Sequence, residues 1–451
     1  MVLRIKYLAN KVGIDGAIFY TVLARVLQAG GGVISIFFIA KYLTSVEQGY
    51  YYTFGSILAI QMFFELGLSS IITQFVAHEK AHLSWKNDTN LVGDEVSLSR
   101  LASLLHFCIN WFLVIALFLI IVLFFSGYLF FNSYGAHDSK IEWQMPWIIL
   151  SILTAGNLVM SPVLAFLEGL GKVKEVAKIR LFQQIIILVG LLSFLSLGLK
   201  LFSSPLAATF AAIIPPVTIY FSSTKELFKN IWKELREWKV DYKQEIFPYQ
   251  WRIALSWMSG YLIFQLFNPV AFATEGAKVA GQMGMTLAAL NGVLTLSMSW
   301  INTKVPVFSY YIAKKDYIYL DVIFNKAVVQ ATLICFVCLF MLNILVFSFQ
   351  YFGWSIGDRF LSSVLVLLLS LATLISQFVA ALATYLRCHK QEPFLVNSIV
   401  GGIVIGGSTL LFGNLIGIKG IVIGYTMSTI VIGLFWGSYI FVSKKREWHK
   451  H

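Results

Sequence analysis

The sequence predicts an all-α integral membrane protein with about twelve transmembrane helices. Three observations carry that class. Of the 451 residues, 58% are hydrophobic and 12% are charged, whereas a soluble globular domain runs about 45–50% apolar and about 25% charged. Mean hydropathy is +0.78. The apolar runs, such as 111–125 and 364–382, are long and unbroken, unlike the alternating ~10-residue strands of an outer-membrane barrel.

A helix needs about 20 apolar residues to cross the hydrocarbon core. On that criterion the spans fall at 17–40, 50–77, 101–130, 145–168, 181–199, 203–223, 252–273, 280–302, 326–348, 359–385, 394–413 and 419–442. The N-terminus is basic (Arg4, Lys6), but the apolar stretch after it runs from Ala17 to Tyr42. That exceeds the about 7–15 residues of a signal-peptide core and reads as the first span. An even count puts both termini on one face. Of the 34 basic residues, 27 lie at the termini and in the loops of that face. The opposite loops hold one each: Lys41, Lys140, Lys200, Lys278, Arg359 and Lys419. Arg25 alone lies inside a span. The positive-inside rule then makes both termini cytoplasmic. The net charge of +12 reflects topology rather than nucleic-acid binding. All loops are short, which leaves no room for a soluble catalytic domain.

The longest inner loop, 224–251, divides the chain into an N-terminal lobe, 1–223, and a C-terminal lobe, 252–451, with a short basic tail. Internal repeats support the division. Val46-Glu-Gln-Gly-Tyr-Tyr-Tyr-Thr-Phe enters span two, and Lys278-Val-Ala-Gly-Gln-Met-Gly-Met-Thr enters span eight, 232 residues later. Phe166-Leu-Glu-Gly-Leu-Gly-Lys leaves span four, and Tyr385-Leu-Arg-Cys-His-Lys leaves span ten. Both pairs run in the same membrane direction. The lobes are therefore expected to be related by a pseudo-two-fold axis along the membrane normal, with a cavity between them. The linker 224–245 carries Leu227, Ile231, Leu235 and Trp238 on one face and lysines on the rest. It reads as a cytoplasmic amphipathic helix on the inner leaflet, serving as a tether or as a lipid-recognition element.

Ionisable groups inside spans cost about 2.5–3.5 kcal/mol on insertion scales and are functional candidates by default. In span one, Thr21, Arg25, Gln28 and Gly32 share a helix face. In span two, Gln61, Glu65, Ser69 and Thr73 form a second polar stripe. Arg25 and Glu65 sit at similar depth. Either they face the cavity, with Arg25 meeting an anionic substrate and Glu65 tuning it or carrying a proton, or they form a structural ion pair. Trp257, Tyr261 and Asn268 in span seven and Asn291 in span eight supply the aromatic faces and amides that suit a sugar. Ordinary interhelical packing accounts for them equally. Arg252, at the cytoplasmic start of span seven, is an inner-vestibule cation or a positive-inside anchor. The GxxxG pairs Gly402/Gly406, Gly420/Gly424 and Gly433/Gly437 predict close-packed helix faces.

No catalytic residues and no metal site are expected. Cys335 and Cys338 form a CxxC inside an apolar run, with no histidine or second CxxC nearby, so a zinc or redox site is not expected. There is no Walker A motif for ATP hydrolysis.

Several stretches resemble a known family. They are Gln250-Trp-Arg-Ile-Ala-Leu-Ser-Trp-Met-Ser-Gly-Tyr-Leu-Ile-Phe-Gln-Leu-Phe-Asn-Pro, Val279-Ala-Gly-Gln-Met-Gly-Met, Trp300-Ile-Asn-Thr-Lys-Val-Pro and Tyr385-Leu-Arg-Cys-His-Lys-Gln-Glu-Pro-Phe, with Phe64-Glu-Leu-Gly-Leu earlier. They resemble O-antigen (Wzx-type) polysaccharide flippases of the multidrug/oligosaccharidyl-lipid/polysaccharide superfamily. The resemblance implies a V-shaped fold of two six-helix lobes in the bacterial inner membrane. It implies alternating-access transport of undecaprenyl-pyrophosphate-linked oligosaccharide from the cytoplasmic to the outer leaflet. It further implies membrane lipids, a polysaccharide polymerase and a chain-length regulator as partners. No cofactor is expected beyond a coupling proton or sodium ion, for which Glu65 is the candidate. Arg25 looks like the position at which related lipid II flippases contact pyrophosphate, although this chain is poor in further cavity cations.

Two other readings remain at this stage. One is a cation-coupled multidrug antiporter of the same superfamily, which would favour an acidic centre in span one rather than Arg25. The other is a membrane-embedded polymerase or acyltransferase, which the short loops and missing catalytic clusters disfavour.

Overall fold

A computed structural model describes residues 16–135, 141–389 and 391–449. The side chains of Arg25 and Arg252 lie outside what it describes. Each of the twelve expected spans coincides with helix. The first five helices are α1 (Gly16–Tyr42), α2 (Ser45–Leu58), α3 (Met62–Glu65), α4 (Leu68–Lys80) and α5 (Glu95–Tyr134). Then come α6 (Gln144–Gly169), α7 (Val173–Ser196), α8 (Ser203–Phe221), α9 (Thr224–Lys233), α10 (Phe247–Phe264), α11 (Phe267–Glu275) and α12 (Ala277–Asn302). The last are α13 (Val305–Ala313), α14 (Tyr317–Tyr351), α15 (Ser363–Arg387), α16 (Leu395–Ile416), α17 (Ile418–Ser428) and α18 (Gly437–Trp448). A wide-turn helical segment, Thr429–Trp436, joins the last two.

Ten of these helical stretches are long and apolar enough to cross a membrane on length and composition alone. Their outer faces confirm the solvent. On α5, Leu113, Val114, Leu117, Phe118 and Phe125 are exposed, and on α14 so are Val329, Leu333, Phe336 and Phe340. Water does not tolerate continuous apolar faces of that size, and hydrocarbon does. The protein is a multi-pass membrane protein.

The chain packs as two compact units. The first comprises α1 through Gly31, then Leu58–Ser133 and Lys140–Trp257. Its helices approach closely at small residues. A side chain at Gly127 on α5 would lie 2.1 Å from the Trp147 ring on α6, whose indole donates to the Leu123 carbonyl at 3.1 Å. The second unit comprises Gly32–Ile57, a short piece at the end of α5, and Met258–His451. Its core includes Ile301, Phe308, Phe324, Tyr385 and Leu386. The glycine pairs expected to pack closely mostly do so. A Cβ at Gly402 would lie 3.0 Å from the Ser259 backbone, and one at Gly420 would lie 2.3 Å from the Phe412 carbonyl oxygen.

Three features differ from the sequence expectation. First, the loop at 78–100 contains a β-hairpin, β1 (Leu83–Asn87) and β2 (Asn90–Gly93), paired antiparallel. Second, spans two and seven are interrupted. Span two breaks at Leu66 and Gly67, both with positive φ, and span seven breaks between α10 and α11. Third, the linker is not one helix on the leaflet. Helix α9 ends at Lys233, and its apolar face is buried in protein, with Leu227 fully enclosed. Trp232 stacks on His106 at 3.5 Å between ring centroids. Beyond α9, the backbone N–H groups of Arg236 and Val240 donate to Ser99 and Ser103 of α5. Those amides are then unavailable to helical carbonyls, so the helix stops and the segment is strapped to the first unit.

Candidate functional site

The strongest site begins with a helix that cannot continue. Leu66 adopts φ 50° and Gly67 φ 68°, so the backbone turns left-handed directly after Glu65. The left-handed region is costly for a residue with a Cβ, and here an added Cβ would also displace a neighbouring side chain. A Cβ at Gly67 would lie 2.3 Å from Ile253 Cγ2 and 3.7 Å from Trp257 Nε1. Helix α10 therefore closes over the break, and Trp257 sits beside it. The Ser70 amide and hydroxyl both donate to the Gly67 carbonyl, at 3.2 and 2.8 Å, which restarts the helix.

The half-buried Glu65 carboxylate at this break accepts two hydroxyls through the same oxygen, Oε1. Ser69 on α4 donates at 2.7 Å and Ser161 on α6 at 3.1 Å. The two hydroxyls lie 2.8 Å from each other. Three oxygens thus form a triangle of hydrogen-bonding contacts, with the carboxylate accepting from both hydroxyls. Pro162 follows Ser161 inside α6, and a proline lacks the N–H that would hold the preceding turn. Thr73, one turn beyond Ser69, donates to the Ala165 carbonyl at 3.1 Å. The polar stripe of span two is therefore bonded along α6.

The other sequence candidates distribute as follows. Gln61 is half-buried on the turn before α3, and Gln28 is exposed on α1. Trp257 meets the break. Gln61, Glu65 and Trp257 belong to the first unit, and Tyr261, Asn268 and Asn291 belong to the second. Tyr261 and Asn268 are buried, and Asn291 is exposed. Asn268 donates to Ser56 Oγ at 2.9 Å, and its Oδ1 is buried without a partner. Arg25 and Arg252 fall outside the described side chains, so an Arg25–Glu65 pair is not part of the description.

Sequence reading missed Ser161 and the break itself. The glycine in Phe64-Glu-Leu-Gly-Leu was the one local signal for the break. Among the described residues no group of three histidine, cysteine, aspartate or glutamate side chains could hold a metal. Within the second unit a cavity of about 570 Å³ is lined by Asn302, Ser309, Thr384, Arg387 and His389. Arg387 is already engaged with Glu392 at 3.3 Å.

No family model matches the chain, and no curated protein matches it. Solved structures do. The lipid II flippase MurJ in an inward closed conformation superimposes with a TM-score of 0.61 at 16% identity, over 95% of this chain and 87% of that one. An inward-facing multidrug resistance MATE family transporter of the MOP superfamily gives 0.56 at 13% identity, over 92% and 99%. The MATE multidrug transporter DinF-BH gives 0.53 at 12% identity, over 96% of each chain. The chain has the fold shared by these transporters.

Proposed function

We propose that the protein is a flippase. Its substrate would be an undecaprenyl-pyrophosphate-linked oligosaccharide, an O-antigen or other surface polysaccharide unit. It would carry this from the cytoplasmic to the outer leaflet of a bacterial inner membrane by alternating access. The observation that carries the reading is an arginine, Arg25, placed within the first span of a fold that the lipid II flippase also has. An anionic pyrophosphate supplies the partner that such a cation needs in hydrocarbon. The glycan head cannot cross lipid unaided, so a polar path with the lipid tail left outside meets the physical requirement. Both termini lie in the cytoplasm on this reading, which rests on the basic-loop asymmetry.

Coupling is to a proton or sodium gradient, with Glu65 as the candidate group. Its support is that Glu65 is a carboxylate within a span, held there by the Ser69 and Ser161 hydroxyls. A polymerase and a chain-length regulator would receive the product. The competing reading is a cation-coupled multidrug antiporter, which the fold likeness to MATE transporters supports equally. Arg25 weighs against it, because a cation within a span repels cationic drugs.

The deciding experiment is depletion of the protein, followed by the leaflet distribution of full-length lipid-linked oligosaccharide, with Arg25→Ala alongside. Cytoplasmic accumulation in both, with normal insertion of the variant, is the expected result. Unchanged leaflet distribution with lowered drug tolerance would transfer the reading to the antiporter.

A further inference from the structure

The two units carry very different charge on their basic-rich side. In the first unit, segments 78–100, 169–180 and 224–251 hold thirteen lysines and arginines against ten aspartates and glutamates. Bases and acids there engage one another: Arg100 bridges Glu79 and Glu245, and Arg236 meets Glu95 and Glu234. In the second unit, segments 303–326, 386–394 and 443–451 hold ten bases against four acids. Three of those acids pair with Lys445, Lys444 and Arg387. The fourth, Asp316, caps α14 by accepting the Tyr319 amide at 3.1 Å. The remaining positive excess makes this face attractive to anions.

The cavity of about 570 Å³ in the second unit is built from these same segments. Val305, Ser309 and Ile312 follow at spacings of four and three on α13, and Thr384 and Arg387 at a spacing of three on α15, so each helix gives one face to the lining. The two helices are held together by a shared core, in which Phe308 and Tyr385 are fully buried. Several polar groups of the lining are already spent. The Thr384 hydroxyl donates to the Ala380 carbonyl at 2.8 Å. His389 lies 3.3 Å from the Tyr385 carbonyl oxygen through Nδ1 and 3.4 Å from His449 through Nε2. The Arg387 guanidinium is different. Its Nε donates to Glu392 at 3.3 Å, which leaves both Nη groups for a second acceptor. Both side chains of that pair are more than half exposed, and an ion pair so exposed contributes little, so another anion can replace the carboxylate. Asn302, at the end of α12, brings an exposed amide to the same cavity.

A guanidinium fork meets two oxygens of one phosphate at once, and the amide adds a further donor. Val305, Ile312 and Ala313 make the rest of the lining apolar. A bare phosphate would leave that wall wet, whereas a phosphodiester carrying glycerol and acyl chains would cover it. Tyr310 and Tyr319 are exposed on α13 and α14, as expected of tyrosine at the headgroup level of a bilayer. The Lys314 ammonium lies 4.7 Å from the centre of the Tyr310 ring. We propose that the cavity docks the phosphate headgroup of an anionic bilayer phospholipid, held by Arg387 and Asn302, with its glycerol end against Val305 and Ile312. All four residues belong to the second unit, whereas Glu65 belongs to the first. The occupant is a resident lipid and not cargo, so the proposal stands apart from the transported substrate.

The test uses the purified full chain in a neutral detergent, with dioleoylphosphatidylglycerol or zwitterionic dioleoylphosphatidylcholine added and bound lipid counted by native mass spectrometry. Phosphatidylglycerol should bind at least fivefold more tightly than phosphatidylcholine. Arg387→Gln should lose at least fivefold in affinity for phosphatidylglycerol and leave phosphatidylcholine unchanged. Lys326→Gln makes the same charge change on the same face, outside the cavity lining, and should lose less than twofold. Equal losses in the two variants would mean that the face attracts lipid through its field alone, and would overturn the site. Asn302→Ala, which removes no charge, should lose severalfold, and it carries the test if melting curves show Arg387→Gln to be unfolded. Inorganic phosphate at millimolar concentration should leave the bound lipid in place. Displacement by it would make the cavity a small-anion site, and displacement by a tenth as much undecaprenyl phosphate would make it a cargo site. Either result overturns the proposal.

Discussion

The two ends of the second span are built on opposite principles. Its α2 half is an uninterrupted helix held by absent side chains, since Gly49 and Gly281 let two backbones touch. Its other half is broken at Leu66–Gly67 and held by present ones, as Ser69 and Ser161 converge on Glu65. Close backbone packing is intolerant of any added atom. A hydroxyl network tolerates a missing member, because each hydroxyl can take another partner. The same span is therefore held at one end by close backbone contact and at the other by side-chain hydrogen bonds.

Adding single methyl groups along α2 breaks this comparison most sharply. Gly49→Ala puts a Cβ 1.9 Å from a backbone oxygen. It should cost about 3 kcal/mol, the upper end for overpacking, and lower the melting temperature of the purified protein. Gly55→Ala, on the same helix, meets nothing within 4 Å. It should leave the melting temperature unchanged or raise it, since alanine in a helix gains about 0.5–1 kcal/mol over glycine. Equal melting temperatures for the two would refute the close crossing.

Gly67→Ala comes next. Its left-handed backbone costs an L residue roughly 1–2 kcal/mol, and Ile253 must move from 2.3 Å. Because Ile253 Cγ2 is the end of a side chain, the loss should be smaller than at Gly49. Melting curves of the two alanine variants measured side by side check the ranking.

At the carboxylate the effect is smaller on stability and larger on coupling. Ser161→Ala removes one of two donors to Glu65 and should cost about 0.5–1.5 kcal/mol. Glu65→Gln keeps an acceptor oxygen and loses the exchangeable proton. Its expected signature is a near-normal melting temperature with transport that no longer responds to a proton gradient in vesicles. Undiminished gradient dependence would remove Glu65 from the coupling role.

Hydropathy made the spans legible because each runs long enough to cross hydrocarbon, and helix covers all twelve. The interruptions were not legible. The stretch around Leu66–Gly67 stays apolar on average despite Glu65, Ser69 and Ser70, and a span-length window averages over one glycine. Ser161 escaped because its partner lies 96 residues away, on a neighbouring helix that periodicity cannot place. The linker misled for a related reason. Leu227 and Ile231 do fall on one face, but a helical stripe shows only that a face is buried. It does not distinguish lipid from protein, and Ser99 and Ser103 made the choice. The crossing of α2 and α12 was half legible, since the repeat was visible in sequence and the touching of its mates was not.

The smallest expected effect lies at the far end of the second unit, where α18 docks on α14 and α15. His389 and His449 approach at 3.4 Å between Nε2 atoms. His449 stacks on Tyr317 at 4.0 Å between ring centroids, and Lys445 pairs with Asp321 at 2.8 Å. Burial holds both imidazoles below the ordinary value of 6.5. For His449 the Asp321 carboxylate opposes that shift, whereas His389 and Lys445 add to it. A histidine whose folded pKa is depressed binds protons more readily when released. Docking is therefore fully stabilised above the ordinary value and weakens as pH falls below it. Both rings are partly exposed, so solvent screening keeps the loss modest. Amide exchange across 437–449 should quicken as pH falls from about 7.5 to about 5.5, after correction for intrinsic exchange, a range that brackets the ordinary imidazole value. The same correction applied to His389→Gln should leave a flatter profile, because one of the two titrating rings is gone. α2, which meets no histidine where Gly49 packs against α12, should show no comparable change over that range.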